Sequence, residues 1–334
     1  MTDLLVSFII PVYNRPEEIK ELLSSFLTLE GNYNYEIVIV EDGSKITSKD
    51  VVDSFSENLN VSYYFKENTG PGSSRNFGMH RAKGNYFIIL DSDVIMPTHY
   101  LKAVYSFLDT TYYDYFGGPD AAHNSFTSLQ KAINFSMTSF ITTGGIRGGK
   151  NQIENFQPRS FNMGLSKEAF LESGGFGRIH PGEDPDLSLR LNALGYKSAL
   201  ISSAFVYHKR RISWSKFYNQ VYKFGMVRPI LNTWHPRSKS LVYWFPTLFS
   251  LGLLVAFMST FFTSLIMLFY GVYFLIAFVL ALVSTKSFSI AFQSIFAILV
   301  QFVGYGYGFL KSTWNIGILH KDPEQTFPKL FFKK

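Results

Sequence analysis

The sequence predicts an α/β domain built on a mostly parallel sheet, followed by a helical membrane domain. Three observations carry this expectation. Strand-like and helix-like runs alternate through the first 210 residues. Between Lys239 and Lys286 there are 46 residues without Asp, Glu, Lys or Arg, and another 24 lie between Lys286 and Lys311. The segment joining these regions, Lys209 to Lys239, carries eight Lys or Arg and no acid. The averages over all 334 residues, 47% hydrophobic and 17% charged, conceal this division.

The soluble elements follow in order. VSFIIPV (6–12) is an apolar run of strand length. After it Ile19, Leu22, Leu23, Phe26 and Leu27 recur at helical spacing, with Pro16 at the helix start. YEIVIV (35–40) is a second strand ending in Glu41-Asp42-Gly43-Ser44, and a helix runs through Val51, Val52 and Phe55. Residues 61–65 form a third strand, 73–83 a helix and 86–90 a fourth strand. Such alternation implies a parallel sheet covered on both faces. Ligands of such sheets bind beyond the carboxyl ends of the strands. Residues 11–14, 42–44, 68–76 and 91–93 all follow strand ends and are expected along one rim.

A spanning helix needs about 20 mostly apolar residues. The first uncharged run has room for two spans with a turn near Thr263–Ser264, and the second for one more at about 288–310. The expected division is a catalytic domain at 1–210, a basic amphipathic interface segment at 211–240, two to three membrane helices at 241–311 and a basic tail at 312–334. Trp214, Phe217, Tyr218, Tyr222, Phe224 and Trp234 are interleaved with the basic residues, which suits a helix lying on anionic lipid. Nucleic acid is the competing partner for such a stretch, and the adjoining spans disfavour it. MTDLLVSFIIPVYN has no basic n-region and too short an apolar run for a secretory signal, so the first domain is expected in the cytoplasm. Cysteine is absent, so there is no disulfide framework. Three spans would place Lys311, Lys321, Lys329, Lys333 and Lys334 on the far side, against the positive-inside rule. Either one run does not cross fully or the tail violates the rule.

FIILDSDVIM (87–96) poses the chemical question, because an apolar run ends in two aspartates. Residues i and i+2 of a strand share one face. Two carboxylates there repel unless a cation or a partner lies between them.

Taken together, IIPVYNRPE, VIVEDGS, ENTGPGSSRNFGMHRAKGNYFIILDSD and HPGEDPDLSLRLNALGY resemble a family 2 glycosyltransferase of the GT-A fold, over roughly residues 5–210. The resemblance implies a role for each motif. Asp42 would bond the nucleotide base, with Pro11, Tyr13 and Asn14 packed around it, and Arg75 would lie near the nucleotide. Asp91-Ser92-Asp93 matches the family's DXD motif. Asp93 would ligate Mg²⁺ or Mn²⁺, with Asp91 near the ribose or the metal's water shell. His208 matches a metal-binding histidine near the end of the domain. Glu183-Asp184 matches the family's ED motif, with Asp184 as base and Glu183 positioning the acceptor. Gly174 and Gly175, in FNMGLSKEAFLESGGF, would admit the acceptor sugar closely. The Gly-rich, basic run TTGGIRGGK (142–150) reads equally as a mobile loop over donor or acceptor phosphates or as a plain flexible linker.

The resemblance implies transfer of one sugar from a nucleotide-sugar donor, with inversion. The membrane segments point to a hydroxyl of a polyprenyl-linked saccharide in cell-surface glycan assembly, at the inner (plasma) membrane. Other readings stay open. A polyprenyl-phosphate sugar transferase needs little base, which the Glu183-Asp184 pair weighs against. A processive synthase would carry QXXRW, of which Gln220-Val-Tyr-Lys223-Phe224 is an imperfect echo. A non-catalytic nucleotide-sugar binder would lack an acidic motif. The sequence is compatible with a homo-oligomer and carries nothing to decide it.

Overall fold

The computed structural model describes residues 4–121, 123, 125–144, 156–209 and 213–332. It opens with strand β1 (Val6–Val12), helix α1 (Pro16–Phe26), β2 (Tyr35–Asp42), α2 (Lys49–Phe55), β3 (Val61–Lys66), α3 (Pro71–Arg81) and β4 (Tyr86–Leu90). Helix α3 sits two residues earlier than its apolar spacing predicts. Pro71 takes the first helical turn, where its missing N–H has no partner to lose, and Ala82 is already extended. The chain continues through β5 (Val94–Ile95), α4 (Tyr100–Thr110), β6 (Tyr115–Gly117), β7 (Asp120–Ala121), α5 (Ser128–Thr138) and α6 (Phe140–Thr143). Then come β8 (Asn162–Ser166), α7 (Lys167–Ser173), α8 (Glu183–Ala193), β9 (Ser198–Leu200) and β10 (Val206–His208).

Seven strands make one sheet in the order β3-β2-β1-β4-β8-β6-β9. The first four are parallel, and β8 runs antiparallel between β4 and β6. A small second sheet has the order β5-β10-β7. The strand-like run 198–208 is therefore two strands, and its halves belong to different sheets. Alternation along β1 sends Phe8 and Ile10 to one face, with Ile37, Ile88 and the α1 and α4 side chains. Ile9 goes to the other face, with Val38, Phe87 and residues of α3, α7 and α8. Phe8 stands edge-on to Phe26 with centroids 4.8 Å apart. Each such buried side chain contributes about 1.5–3 kcal/mol. The parallel strands bring Val12, Asp42, Lys66 and Leu90 to one rim.

Beyond the α/β domain lie α9 (Trp214–Trp234), α10 (Phe245–Ser259), α11 (Leu265–Thr285) and α12 (Phe288–Ser312). Three stretches are long and apolar enough to cross a bilayer by length and composition: Leu241–Ser259, Leu265–Thr285 and Phe288–Ile318. The expected turn falls between α10 and α11, at 260–264. Helix α9 is the basic segment expected to lie on lipid. Ser213 caps it by accepting the Lys216 N–H. Its apolar residues pack on protein instead: Phe217 and Val221 cluster with Ala297 of α12, and Val227, Ile230 and Leu231 with Ile179 and the tail. Gly225 lets α9 meet α12 backbone to backbone, since a Cβ there would lie 2.1 Å from the Tyr305 carbonyl oxygen.

The tail after α12 returns to the α/β domain. A π-helical turn (Thr313–Ile318) leads to the short α13 (Pro323–Thr326). Phe327 and Leu330 are buried against Ile179 and Val227. The His180 N–H donates to the Leu330 carbonyl at 2.7 Å, and the Phe332 N–H to that of Arg178 at 3.1 Å.

Candidate active site

The rim of the parallel sheet carries the first half of the site. At the end of β2, Asp42 is buried and oriented by the loop after β3. Its Oδ1 accepts the Thr69 N–H and its Oδ2 the Gly70 N–H, each at 3.0 Å, and Lys66 pairs with it. Pro11, Tyr13, Asp42 and Arg75 line one cavity. Asn14 has a different place. It sits at φ +54°, accepts the Lys45 and Ile46 N–H groups at 2.8 and 3.1 Å, and does not line the cavity. It pins the β1 loop to the β2 loop, so its expected contact with the base gives way to a backbone duty.

Asp91, Ser92 and Asp93 follow β4 and line the same cavity. The strand-face reason for their proximity fails, because β4 ends at Leu90 and 92–93 form a turn. Pairing of β5 with β10 sets His208 opposite Val94 and so beside Asp93. The His208 Nε2 lies 3.2 Å from Asp93 Oδ1, and ligand atoms of Asp91, Asp93 and His208 fall within 4.8 Å of one another. The Phe161 ring stacks on the imidazole at 4.8 Å. Arg15 Nη1 reaches Asp93 Oδ2 at 2.5 Å. Burial alone would raise the Asp93 pKa, but His208 and Arg15 outweigh it and hold the carboxyl well below the usual range. Asp93 Oδ1 is buried and faces that imidazole. Two carboxylates and an imidazole this close together are a donor set that fits a divalent cation.

The second half of the site is the start of α8, entered through Gly182 at φ +120°. Glu183 is buried between Arg75 (2.9 Å) and His180 (3.0 Å). Burial would raise its pKa, yet His180 and Arg75 bring it down to about 2. Asp184 beside it behaves oppositely. It accepts a long 3.4 Å bond from the Ser160 N–H and lies 3.8 Å from Arg159. Burial, helped by the Glu183 charge, pushes its pKa up. One carboxylate is held in its charged form by its partners, and its neighbour is pushed toward the protonated form. Asp186 is structural. It pairs with Arg190 and with His235 from the end of α9.

Gly174 and Gly175 are not brought to this site, because neither lines the cavity. Gly174 ends α7 in the left-handed region at φ +72°. Gly175 makes room for Asn76, whose side chain bonds the Phe176 backbone at both ends. Of the run 142–150, Thr142 to Gly144 line the cavity, and 145–150 lie outside the described residues. Arg15, Arg159 and Phe332 were not singled out by the sequence reasoning. Arg15 stood inside IIPVYNRPE, whereas nothing local marks the other two.

The cavity has a volume of about 1490 Å³ and does not stop at the polar groups. It continues past Lys216 and Lys223 to an apolar wall of Leu241, Tyr243, Phe245, Leu248 and Tyr305.

Comparison with known proteins places this geometry. Residues 7–171 match the family described as glycosyl transferase family 2. The chondroitin synthase of Escherichia coli is 25% identical over 236 residues, covering 61% of this chain and 34% of that protein. Glycosyltransferase GlyA of Streptococcus pneumoniae serotype 4 is 34% identical over 106 residues, covering 31% of this chain and 15% of that protein. This chain thus spans about a third or less of the length of these curated relatives. A mannosyltransferase from Pyrobaculum calidifontis, solved with GDP-Man and Mn²⁺, superposes with a TM-score of 0.58 at 14% identity, over 93% of this chain and 87% of that one. At that identity the likeness concerns the fold.

Proposed function

This chain is a glycosyltransferase of family 2, and on that premise we propose that it moves one sugar from a nucleotide-sugar donor, with inversion, to a hydroxyl of a lipid-linked saccharide. The observation that carries this reading is the single cavity joining Asp93 and Asp184 to the apolar wall of α10 and α12. A water-soluble acceptor has no use for that wall, whereas a polyprenyl chain does.

In this reading the nucleotide lies along the rim between Asp42 and Asp91. Asp93, His208 and Asp91 would hold Mn²⁺ or Mg²⁺, and the imidazole ranks Mn²⁺ first. A cation bound there supplies Lewis-acid stabilisation of the departing diphosphate. Asp184 accepts the acceptor hydroxyl's proton as the new bond from oxygen to the anomeric carbon forms. The bond from that carbon to the phosphate oxygen breaks on the opposite side, and the nucleotide leaves with both electrons. Glu183 and Arg75 hold the two halves of the site in register. Lys216 and Lys223 suit the lipid's phosphate groups on the way to the wall. The basic residues of 209–239 favour the cytoplasmic side of the inner membrane.

The test is turnover in detergent with Mn²⁺ or Mg²⁺ and a panel of nucleotide sugars. Nucleotide release should require a saccharide-bearing polyprenyl diphosphate, should be lost in Asp93→Asn and should fall by about 10²–10⁴ in Asp184→Asn. Release on bare polyprenyl phosphate that survives Asp184→Asn would replace this reading with that of a polyprenyl-phosphate sugar transferase.

A further inference from the structure

We propose that the chain crosses the bilayer twice, through α10 and α11, while α12 lies in the membrane interface across the base of that hairpin. Residues 313–332 then return to the side on which they started.

The contacts of α12 set its position. Phe302 meets the rings of Phe245 and Phe249 at 5.5 and 4.7 Å, and Phe309 meets Trp244 at 5.0 Å. Thr247 donates to the Gly306 carbonyl at 3.2 Å. Ala291 and Ile298 cluster with Ala277 and Ala281, and Phe288 meets Phe278 at 5.2 Å. These partners belong to the first turns of α10 and the second half of α11, which are the two feet of the hairpin. Its tip is bare, with Phe261 83% and Phe262 94% exposed. A third antiparallel span would run beside α11 to that tip. Helix α12, about 37 Å long at 1.5 Å per residue, stays at the base from end to end.

The opposite face of α12 carries α9 and, from the first domain, α5. Trp214 meets Phe296 at 4.7 Å, and Ile133 and Met137 of α5 join Phe217, Val221 and Ala297 in one cluster. A Cβ on Gly308 would lie 2.2 Å from the Tyr222 carbonyl oxygen. Helix α9 also carries Lys216 and Lys223 of the active cavity, so α12 lies level with the floor of the site. Its composition agrees. Its stretch is 39% buried, against 17% for the α10 stretch and 11% for α11, while its mean hydropathy of 1.7 is the lowest of the three, beside 1.9 and 2.6. Gln293, Gln301, Tyr305 and Tyr307 suit an interface better than a hydrocarbon core.

The tail closes the count. It pairs with Arg178 and His180, three residues before Glu183, and a Cβ on Gly70 would lie 2.3 Å from the Phe332 ring. The hairpin begins at the basic segment of that same domain. Both ends of the apolar region therefore share one side, and the number of crossings is even. This removes the conflict between three apolar runs and a basic tail.

The chain has no cysteine, so single-cysteine labelling is clean. Ser54→Cys marks the catalytic side, Thr263→Cys the hairpin tip, Ser289→Cys the start of α12 and Gln325→Cys the tail. All four positions are exposed. Each variant is treated with a membrane-impermeant maleimide in sealed spheroplasts, and again in inverted vesicles. The expected result is that Ser289→Cys and Gln325→Cys label with Ser54→Cys, and Thr263→Cys labels from the opposite side in both preparations. Labelling of Gln325→Cys from the side opposite Ser54→Cys would mean three crossings and overturn the proposal. Labelling of Thr263→Cys from the same side as Ser54→Cys would mean a hairpin that never crosses, and would overturn it as well. Neither readout depends on which donor or acceptor the enzyme uses.

Discussion

Arg75 donates to Glu183 Oε1 at 2.9 Å from one terminal nitrogen, while its other terminal nitrogen holds Asp91 at 2.7 Å. A buried guanidinium on α3 thus links the Asp91–Asp93 turn to the start of α8. Without it, the buried Glu183 carboxylate would lose a charged partner. Arg75→Ala is expected to cost about 3–5 kcal/mol of stability, the usual consequence of removing one partner of a buried pair. It should also abolish turnover. Thermal unfolding in detergent beside a nucleotide-release assay checks both, and an unchanged melting temperature would show that the link carries no weight.

Glu183 makes the same link visible through pH. Its folded pKa is depressed from 4.5 to about 2, so its contribution is fully present above about pH 4.5 and lost as pH falls toward 2. Native chain and Glu183→Gln should therefore differ in denaturation midpoint at pH 6 and converge as the pH is lowered from 5 to 3. A gap that stays constant over that range would place the stabilisation elsewhere.

Asp184 has its pKa raised by burial, the direction a proton acceptor working near neutrality needs. The acid limb of kcat should lie above the ordinary carboxylate range, with activity falling as pH drops through it. Asp184→Asn is expected to lose about 10²–10⁴ in kcat, the range for general base catalysis, with donor affinity retained. Its residual rate should lack the acid limb. Equal loss of donor binding would make Asp184 a binding group instead.

Asp120 lies behind the cation site, with Oδ2 3.9 Å from His208 Nδ1. That is the place of an outer partner that orients a ligating imidazole. Asp120→Asn should weaken Mn²⁺ binding by about 10–100-fold, and His208→Ala by more. A paramagnetic-resonance titration of Mn²⁺ without donor reads this apart from catalysis. Chelation should stop turnover in the native chain, and Mn²⁺ should restore it.

What the sequence made legible was local. The alternation of strands and helices through Leu90, the acidic motifs and the two halves of the apolar hairpin all follow from periodicity and charge, which neighbouring residues determine together. Asn14 and the Gly174-Gly175 pair lie off the cavity for a related reason. Their residue types suit both ligand contact and tight turns, and only the fold decides between the two. His208 could be proposed as a ligand, but the β5–β10 pairing that aims it at Asp93 spans more than a hundred residues. The face of α9 was misjudged because periodicity reports that a stripe is apolar and not what covers it. Phe332 was invisible for the plainest reason: no local pattern says that a tail will cross back to Gly70.

The backbone contact at Gly225 and Gly308 has one more consequence. Helices that touch along their main chains slide and tilt far less than helices separated by long side chains. The cavity that holds Asp184 is thereby carried at a set height above α12, like a tool on a fixed stand. If the acceptor is lipid-linked, as proposed, its hydroxyl would reach Asp184 only when the spacer between it and its lipid anchor matches that height. Such an enzyme would read a length as well as a shape.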